Sequence, residues 1–309
     1  MTLQQLEYIV AVGRFKHFAR AADYCKVTQP TLSSMIQKLE DELGLRIFDR
    51  RRQPVEPTRA GAEMIRRAEE VLRGARCLRD AALEEREALT GTFTVGVLPT
   101  IAPYLLPRFF PALLRDHPDM DIRIVEMKTA EMRRAIAEQR IDAGILARID
   151  GLDELEFSTL YYEQFYVYVS ESDPLAAERA IRTTDLAGSY LWLLDEGHCF
   201  RDQLVRFCSL PAASLSRKAC SLGSIETFMR MVEGGKGVTF IPELAVLQLS
   251  EEQRRLVRPF ALPIPVREVV TAVAPDFVRH RLLSFLSELI RASVPRNMLR
   301  HSAVERIAL

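Results

Sequence analysis

Five cysteines are scattered along the 309 residues, at Cys25, Cys77, Cys199, Cys208 and Cys220. They are too few and too dispersed for a secreted disulfide framework, and no CxxC pair suggests zinc. Cys199 stands apart from the others. It lies in Glu196-Gly-His-Cys-Phe-Arg-Asp202, at the expected start of a helix. A helix N-terminus, His198 and Arg201 would all favour the nucleophilic thiolate, whereas Asp202 opposes it but can orient a donor. The competing reading is a small buried hydrophobe. If residues 199–208 are helical, the rise per residue places the two Cα atoms roughly 13 Å apart. A disulfide needs them within about 7 Å. Bridging Cys199 to Cys208 would therefore require that helix to unwind, which would turn an oxidation into a conformational change. Cys220 is a rival partner, read here as a buried strand residue, and Cys25 and Cys77 read as packing residues on helix faces.

Residues that could converge on Cys199 follow strands. Ligands in open α/β sheets bind beyond the carboxyl ends of strands. Pro99-Thr100 follows the expected strand Thr92–Leu98, Thr129 follows Asp121–Met127, and Gly197-His198-Cys199 follows Tyr190–Leu194. Each threonine taken alone is an ordinary helix cap. Further strands are expected at Asp142–Ala147, Phe165–Ser170 and Val238–Ile241. Helices are expected at Ala102–Asp116, Ala130–Glu138, Phe200–Cys208, Ile225–Glu233 and Phe277–Ala292. Such alternation points to parallel sheets covered on both faces.

The first sixty residues are different. They carry ten Lys/Arg against seven Asp/Glu within a chain that is neutral overall, so a small basic head sits on an acidic body. Leu3, Leu6, Ile9 and Val10 form one apolar helix face, and Ala19–Cys25 forms a second short helix. Thr28 then caps a third helix with Pro30 in its first turn, burying Leu32, Ile36 and Leu39. This is a helix-turn-helix plan, in which the second helix of the pair enters the major groove. Gln29, Thr31, Ser33 and Ser34 are short polar groups able to reach bases. Gln37, Lys38 and the Arg50-Arg51-Arg52 cluster in the loop or wing of Arg46–Thr58 suit phosphates or an adjacent minor groove. A solvated helix and a charged loop would be the plainer reading. From Arg59 to Leu89 runs one long helix in which Met64, Ala68, Val71, Ala75, Leu78 and Ala82 repeat at heptad spacing, a seam for a second copy of the chain or for its own domain.

Phe18-Ala-Arg-Ala-Ala, Thr28-Gln-Pro-Thr-Leu-Ser33, Leu39-Glu40, Leu43-Gly44, Phe48, Arg50 and Thr58-Arg-Ala-Gly61 resemble the N-terminal domain of the LysR-type transcriptional regulators. The resemblance implies a multidomain α and α/β protein. It would have a winged helix-turn-helix over 1–60, with Pro30 among the DNA-facing positions, and a dimerising linker helix over 61–90. A sensor domain similar to periplasmic binding proteins would occupy 91–309, its subdomains being about 91–163 with 267–309, and 164–266.

Gly197-His-Cys-Phe-Arg-Asp-Gln203, with Phe207-Cys208 behind it, closely resembles the sensor loop of the hydrogen-peroxide-responsive members of that family. Leu98-Pro-Thr100, Pro103–Pro107 and Ser224-Ile-Glu-Thr227 extend the likeness. It implies that Cys199 is the peroxidatic cysteine and Cys208 the resolving one. Thr100, Thr129, His198 and Asp202 would hold and polarise the peroxide, with Arg267 as the pocket arginine. Its implied partners are double-stranded DNA, hydrogen peroxide, further copies of the chain in a homodimer or homotetramer, RNA polymerase and a thiol reductant, with no cofactor and no metal. A regulator of a small organic metabolite and a thiol peroxidase are the alternatives; the DNA-binding pattern speaks against an enzyme. There is no run of 18 apolar residues and no leader-like start, so a cytoplasmic protein without membrane contact is expected.

Overall fold

Three threonines start three of the helices in the N-terminal unit of the computed structural model. Thr2 caps α1 (Leu3–Phe15), Thr28 caps α3 (Gln29–Leu43) and Thr58 caps α4 (Arg59–Glu85), each hydroxyl accepting a backbone N–H three residues on. Between the first two lies α2 (Phe18–Tyr24). Leu6, Ile9, Val12, Leu32, Ile36 and Leu39 close over one another as their core. Leu3, expected on that apolar face, is exposed in the first turn of α1. The wing is a two-stranded antiparallel ribbon of β1 (Phe48–Asp49) and β2 (Glu56–Pro57). Gly61 is obligatory where the wing meets α4, since a Cβ there would lie 1.9 Å from the Ile47 carbonyl oxygen.

The structure describes residues 1–86, 89–208, 223–300 and 306–308, in two units, Met1–Arg86 and Glu87–Leu309. The long helix ends at Glu85 and packs on α1. Its heptad seam is divided. Ala68 is buried and Ile65 and Leu72 pack beside it on the head, whereas Val71 and Leu78 face solvent. The head needs only one side of the first turns of α4, so the rest of the apolar stripe stays uncovered in a single chain.

The second unit contains β3 (Gly91–Val97), α5 (Ala102–Asp116), β4 (Met120–Glu126), α6 (Thr129–Ala137), β5 (Ala143–Ala147), β6 (Glu156–Val169), α7 (Cys199–Phe207), α8 (Ile225–Glu233), β7 (Val238–Pro242), β8 (Val257–Pro259), β9 (Ile264–Val273), a helix over His280–Ser293 and β10 (Arg306–Ala308). Strand order is β4-β3-β5-β9-β6-β7, with β10 on β9 and β8 on β6. The parallel expectation holds for β4, β3 and β5 and for β10 on β9, but not throughout; β9 runs antiparallel to β5, and β6 antiparallel to β7, β8 and β9. The cause is the path of the chain. β6 pairs with β9 through Gln164 and with β7 from Phe165, so it carries the chain out of one sheet into another while β9 carries it back alongside.

A strand over Tyr190–Leu194 does not form. Leu191 makes a single bridge to Val238, and the segment is not paired further along a ladder. The sensor helix forms one residue earlier than expected, so Cys199 is its first residue and Cys208 its C-cap. Cys77 is half-buried on α4, and Cys25, expected on a helix face, is half-buried in the turn that ends α2. Cys220, expected in a strand, lies outside the described residues.

Candidate functional site

Cys199 and Cys208 are both free thiols, and both are buried. Helical rise across α7 separates their Cα atoms by roughly 13 Å, so the reduced fold holds them apart. Around Cys199 the structure gathers most of the expected residues. Thr100, in the turn after β3, is 2% exposed, and Thr129, the first residue of α6, is 8% exposed. His198 is the buried N-cap residue of α7.

Arg267 organises the floor of this site. It is 1% exposed on β9; its Nη1 donates to Thr100 Oγ1 at 3.0 Å and its Nη2 to the Thr100 carbonyl at 3.0 Å. Its charge is balanced by Glu163, directly opposite on β6, with Nε–Oε2 at 2.8 Å and Nη2–Oε2 at 2.6 Å. The other Glu163 oxygen accepts the Leu244 N–H at 3.0 Å. The guanidinium also lies over the ring of Phe200, 5.1 Å from its centroid, and Phe200 packs on Phe165 at 4.9 Å. The first turn of α7 is thus seated on a buried ion pair at the strand crossing.

Electrostatics at the thiol differ from the sequence expectation. Burial pushes Cys199 up from the usual thiol range; the Thr129 hydroxyl, the Arg267 charge and the Phe200 backbone N–H draw it partly back, and Asp202 adds to the rise. Neither His198 nor Arg201 supplies the favourable charge. His198 is shifted down by burial and by the Lys128 ammonium, against Asp195 and Asp202, so it is neutral at neutral pH. Arg201 spends its charge on Asp202 at 3.3 Å and Glu196 at 3.9 Å. Desolvation of a buried ion outweighs one nearby cation, so the resting group is a thiol rather than a thiolate. Burial pushes Cys208 up to about 12.

Asp202, expected among the peroxide-holding groups, has a side chain that is 56% exposed and paired with Arg201, yet its charge still acts on Cys199 and His198. Buried atoms near Cys199 that lack a well-formed hydrogen bond include Thr129 Oγ1, His198 Nε2 and Asp195 Oδ1. The His198 nitrogen lies 3.0 Å from Asp195 Oδ1, off the line of a good bond. Glu163, Lys128 and Asp195 were not singled out in the sequence. Glu163 had a signal, a lone acid in the run Leu160-Tyr-Tyr-Glu-Gln-Phe165, but nothing local identified its partner 104 residues away.

On the N-terminal unit, Gln29, Pro30, Thr31, Ser34 and Lys38 are exposed along one side of α3, with Ser33 and Gln37 half-buried. The three wing arginines divide by role. Arg50 bonds Ser33 at 3.2 Å and the buried Glu40 at 3.3 Å, and stacks over Phe18 at 5.3 Å. Arg52 pairs with Glu56 at 2.7 Å and Asp49 at 3.5 Å. The Arg51 guanidinium has no partner among the described residues; only its backbone N–H is engaged, at 3.0 Å from Asp49. Glu40, also unanticipated, accepts from the N–H groups of Ile47 and Phe48 at 2.7 and 3.2 Å and so ties α3 to the wing.

A helix-turn-helix head followed by a two-sheet α/β unit is the architecture of a bacterial transcriptional regulator. Residues 3–62 match the family model of bacterial regulatory helix-turn-helix proteins of the lysR family, and residues 86–295 match that of the LysR substrate binding domain. The chain belongs to the LysR family of DNA-binding regulators. Within it, this chain groups with the OxyR proteins. It is 35% identical over 277 residues to the hydrogen peroxide-inducible genes activator of Haemophilus influenzae, covering 89% of this chain and 91% of the relative. It is 34% identical over 292 residues to the DNA-binding transcriptional dual regulator OxyR of Escherichia coli K12, covering 94% and 95%. Among solved structures, a full-length OxyR variant from Pseudomonas aeruginosa is 36% identical with a TM-score of 0.73, covering 94% of this chain and 98% of that one. OxyR from Porphyromonas gingivalis is 46% identical with a TM-score of 0.65, over 71% of this chain and 99% of that one. No described helix is long and apolar enough to cross a membrane.

Proposed function

We propose that this chain is a hydrogen-peroxide-sensing transcriptional regulator switched by its own thiols. The observation that carries the reading is the placement of two free, buried cysteines at opposite ends of one helix, with a buried arginine and two threonines grouped at one end only. That asymmetry assigns different roles to the two thiols. Cys199 has a hydroxyl and a cation to draw its proton equilibrium down, whereas only burial acts on Cys208.

In the first step the Cys199 thiol gives up its proton and its sulfur attacks one oxygen of hydrogen peroxide. The O–O bond breaks, the departing hydroxide takes up a proton to leave as water, and Cys199 becomes a sulfenic acid. Thr129 Oγ1, buried without a well-formed bond, suits a guest that both donates and accepts hydrogen bonds. Thr100, fixed by Arg267, lines the other side. In the second step the Cys208 sulfur attacks the Cys199 sulfur, the S–O bond breaks, and a second water leaves. With Cα atoms roughly 13 Å apart along a helix and a disulfide limit of about 7 Å, the bond and the helix exclude one another. Oxidation therefore lifts Phe200 from Arg267 and Phe165 and remodels the lobe that carries α7.

In this reading, residues 1–60 bind the operator and 61–90 link and dimerise the chain through the uncovered side of α4. The two lobes are 91–163 with 267–309, and 164–266. The protein works in the cytoplasm as a homodimer or homotetramer, engages RNA polymerase, and is reset by a thiol reductant rather than turning over as an enzyme. The test is a non-reducing peptide map of the full chain after brief peroxide exposure and alkylation. A Cys199–Cys208 linked peptide absent from the untreated sample is the expected result. Recovery of both cysteines alkylated overturns the reading in favour of a metabolite sensor, and a Cys199–Cys220 link would overturn the assignment of the resolving thiol.

A further inference from the structure

Lys128 stands immediately before Thr129, at the start of α6, and reaches across to the segment that launches α7. Its Nζ donates to Asp195 Oδ2 at 3.1 Å and to the Glu196 carbonyl at 3.2 Å. The second oxygen of the same carboxylate lies 3.0 Å from His198 Nε2. Three side chains thus run in series from α6 to the residue before Cys199. The backbone between them turns at Gly197, whose φ of +86° is in the left-handed region, and a Cβ there would meet the Lys128 methylene chain at 3.7 Å. From the other side, a Cβ on Gly223 would meet His198 Nε2 at 3.3 Å. The imidazole is buried, with Gly223 close against its Nε2 side.

The chemistry of the series is specific. An ionised carboxylate beside an imidazole favours imidazolium; an ammonium on the same carboxylate cancels that preference. Among the described residues, the charged groups acting on His198 are Lys128 from α6, Asp195 from its own loop and Asp202 from α7. Burial raises the Asp195 carboxyl, but the Lys128 hydrogen bond and charge and His198 bring it below the usual carboxylate range, so it is ionised. Its oxygen, 3.0 Å from Nε2 though off the line of a good bond, favours the tautomer with the proton on Nε2 and Nδ1 as the basic nitrogen. A neutral imidazole next to a protonated cysteine can accept the proton that the thiol must lose; an imidazolium cannot.

Resting on the thiol-sensor reading above, we propose that Lys128 is a positioning residue for the Cys199 reaction: through Asp195 it holds His198 as a neutral proton acceptor in fixed orientation. Its ion pair is half-exposed, at 39% and 29% for the two side chains, so it adds little to stability. That separates this role from a merely structural one.

The experiment compares the full-length wild type with Lys128→Met, Lys128→Arg and Asp195→Asn. It reads the rate constant for peroxide oxidation of Cys199, by rapid alkylation quench and mass spectrometry, between pH 5.5 and 8.5. In Lys128→Met the low-pH bend of the profile moves toward higher pH, and a displacement of about one unit slows oxidation about tenfold on that limb. Asp195→Asn, which removes the acid that favours imidazolium, moves the bend the opposite way. Lys128→Arg restores the wild-type profile. Melting temperature and operator binding of the reduced proteins establish that each variant is folded. Identical rates and profiles for wild type and Lys128→Met overturn the proposal, as do shifts of the same sign in Lys128→Met and Asp195→Asn. Were wild-type Cys199 itself inert to peroxide, the thiol-sensor reading would fall first, so the two failures are distinct.

Discussion

Replacing Arg267 by methionine separates the structural and chemical duties of the buried ion pair. The substitution removes a charge that is 1% exposed and leaves Glu163, also 1% exposed on its side chain, with a single partner, the Leu244 N–H. Breaking a buried pair by deleting one member costs about 3–5 kcal/mol. The two bonds to Thr100 are lost as well, and the Thr100 hydroxyl is left to find a new partner. For domains of about 150–250 residues each kcal/mol moves the melting temperature by about 2–4 °C, so Arg267→Met should melt roughly 6–20 °C lower. Pairing it with Glu163→Leu should recover most of that loss, because replacing both charges by apolar groups of similar volume is about neutral. Cys199 oxidation should stay slow in the double variant, since the Arg267 charge that draws the thiol toward ionisation is gone. Calorimetry on the reduced wild type, both single variants and the double variant gives the coupling energy directly, and quenched alkylation gives the oxidation rates. An Arg267→Met protein within about 1 kcal/mol of wild type, or a double variant that regains both stability and peroxide reactivity, would refute the reasoning.

Two further outcomes follow from the described geometry. Cys199 and Cys208 are both raised by burial, Cys208 to about 12, whereas unfolded thiols ionise near pH 8.5. The unfolded chain therefore binds fewer protons above that pH, and stability should fall from there upward by at most about 1.4 kcal/mol per pH unit per thiol; urea titrations at pH 7.5 and 10 should show a smaller loss in a Cys199→Ser, Cys208→Ser variant, and equal losses would contradict the burial assignment. On the head, Arg51→Ala should weaken operator binding and lower the salt slope by about 0.9 without changing the melting temperature, whereas Arg50→Ala should cost about 1 kcal/mol of stability through Glu40 and Phe18; indistinguishable effects of the two in salt titration and thermal melts would remove the distinction drawn between them.

Much of the regulatory unit's chemistry was legible from local pattern. Cys199, His198, Thr100 and Thr129 each sit where a strand ends or a helix begins, and such boundaries are written in short stretches of sequence. The helix between Cys199 and Cys208 was legible for the same reason, since apolar periodicity and a preceding glycine are local signals. The head was legible through its caps and its buried triplet Leu32, Ile36 and Leu39. How far Asp202 is exposed was not legible, because the helical phase that sets its direction depends on how α7 seats on Phe165 and Arg267.

Amino-acid order by itself determined which residues could react, where helices and strands begin, and that a basic helix-turn-helix head precedes an α/β body. Only the tertiary structure decided the electrical state of those residues. The pairing of Glu163 with Arg267 arises from the register of two strands whose partners are far apart in the chain. The depth of burial that keeps Cys199 protonated is set by elements closing around it. Desolvation and Coulomb energy depend on distances through space, and distances between remote segments are fixed by packing, not by local sequence.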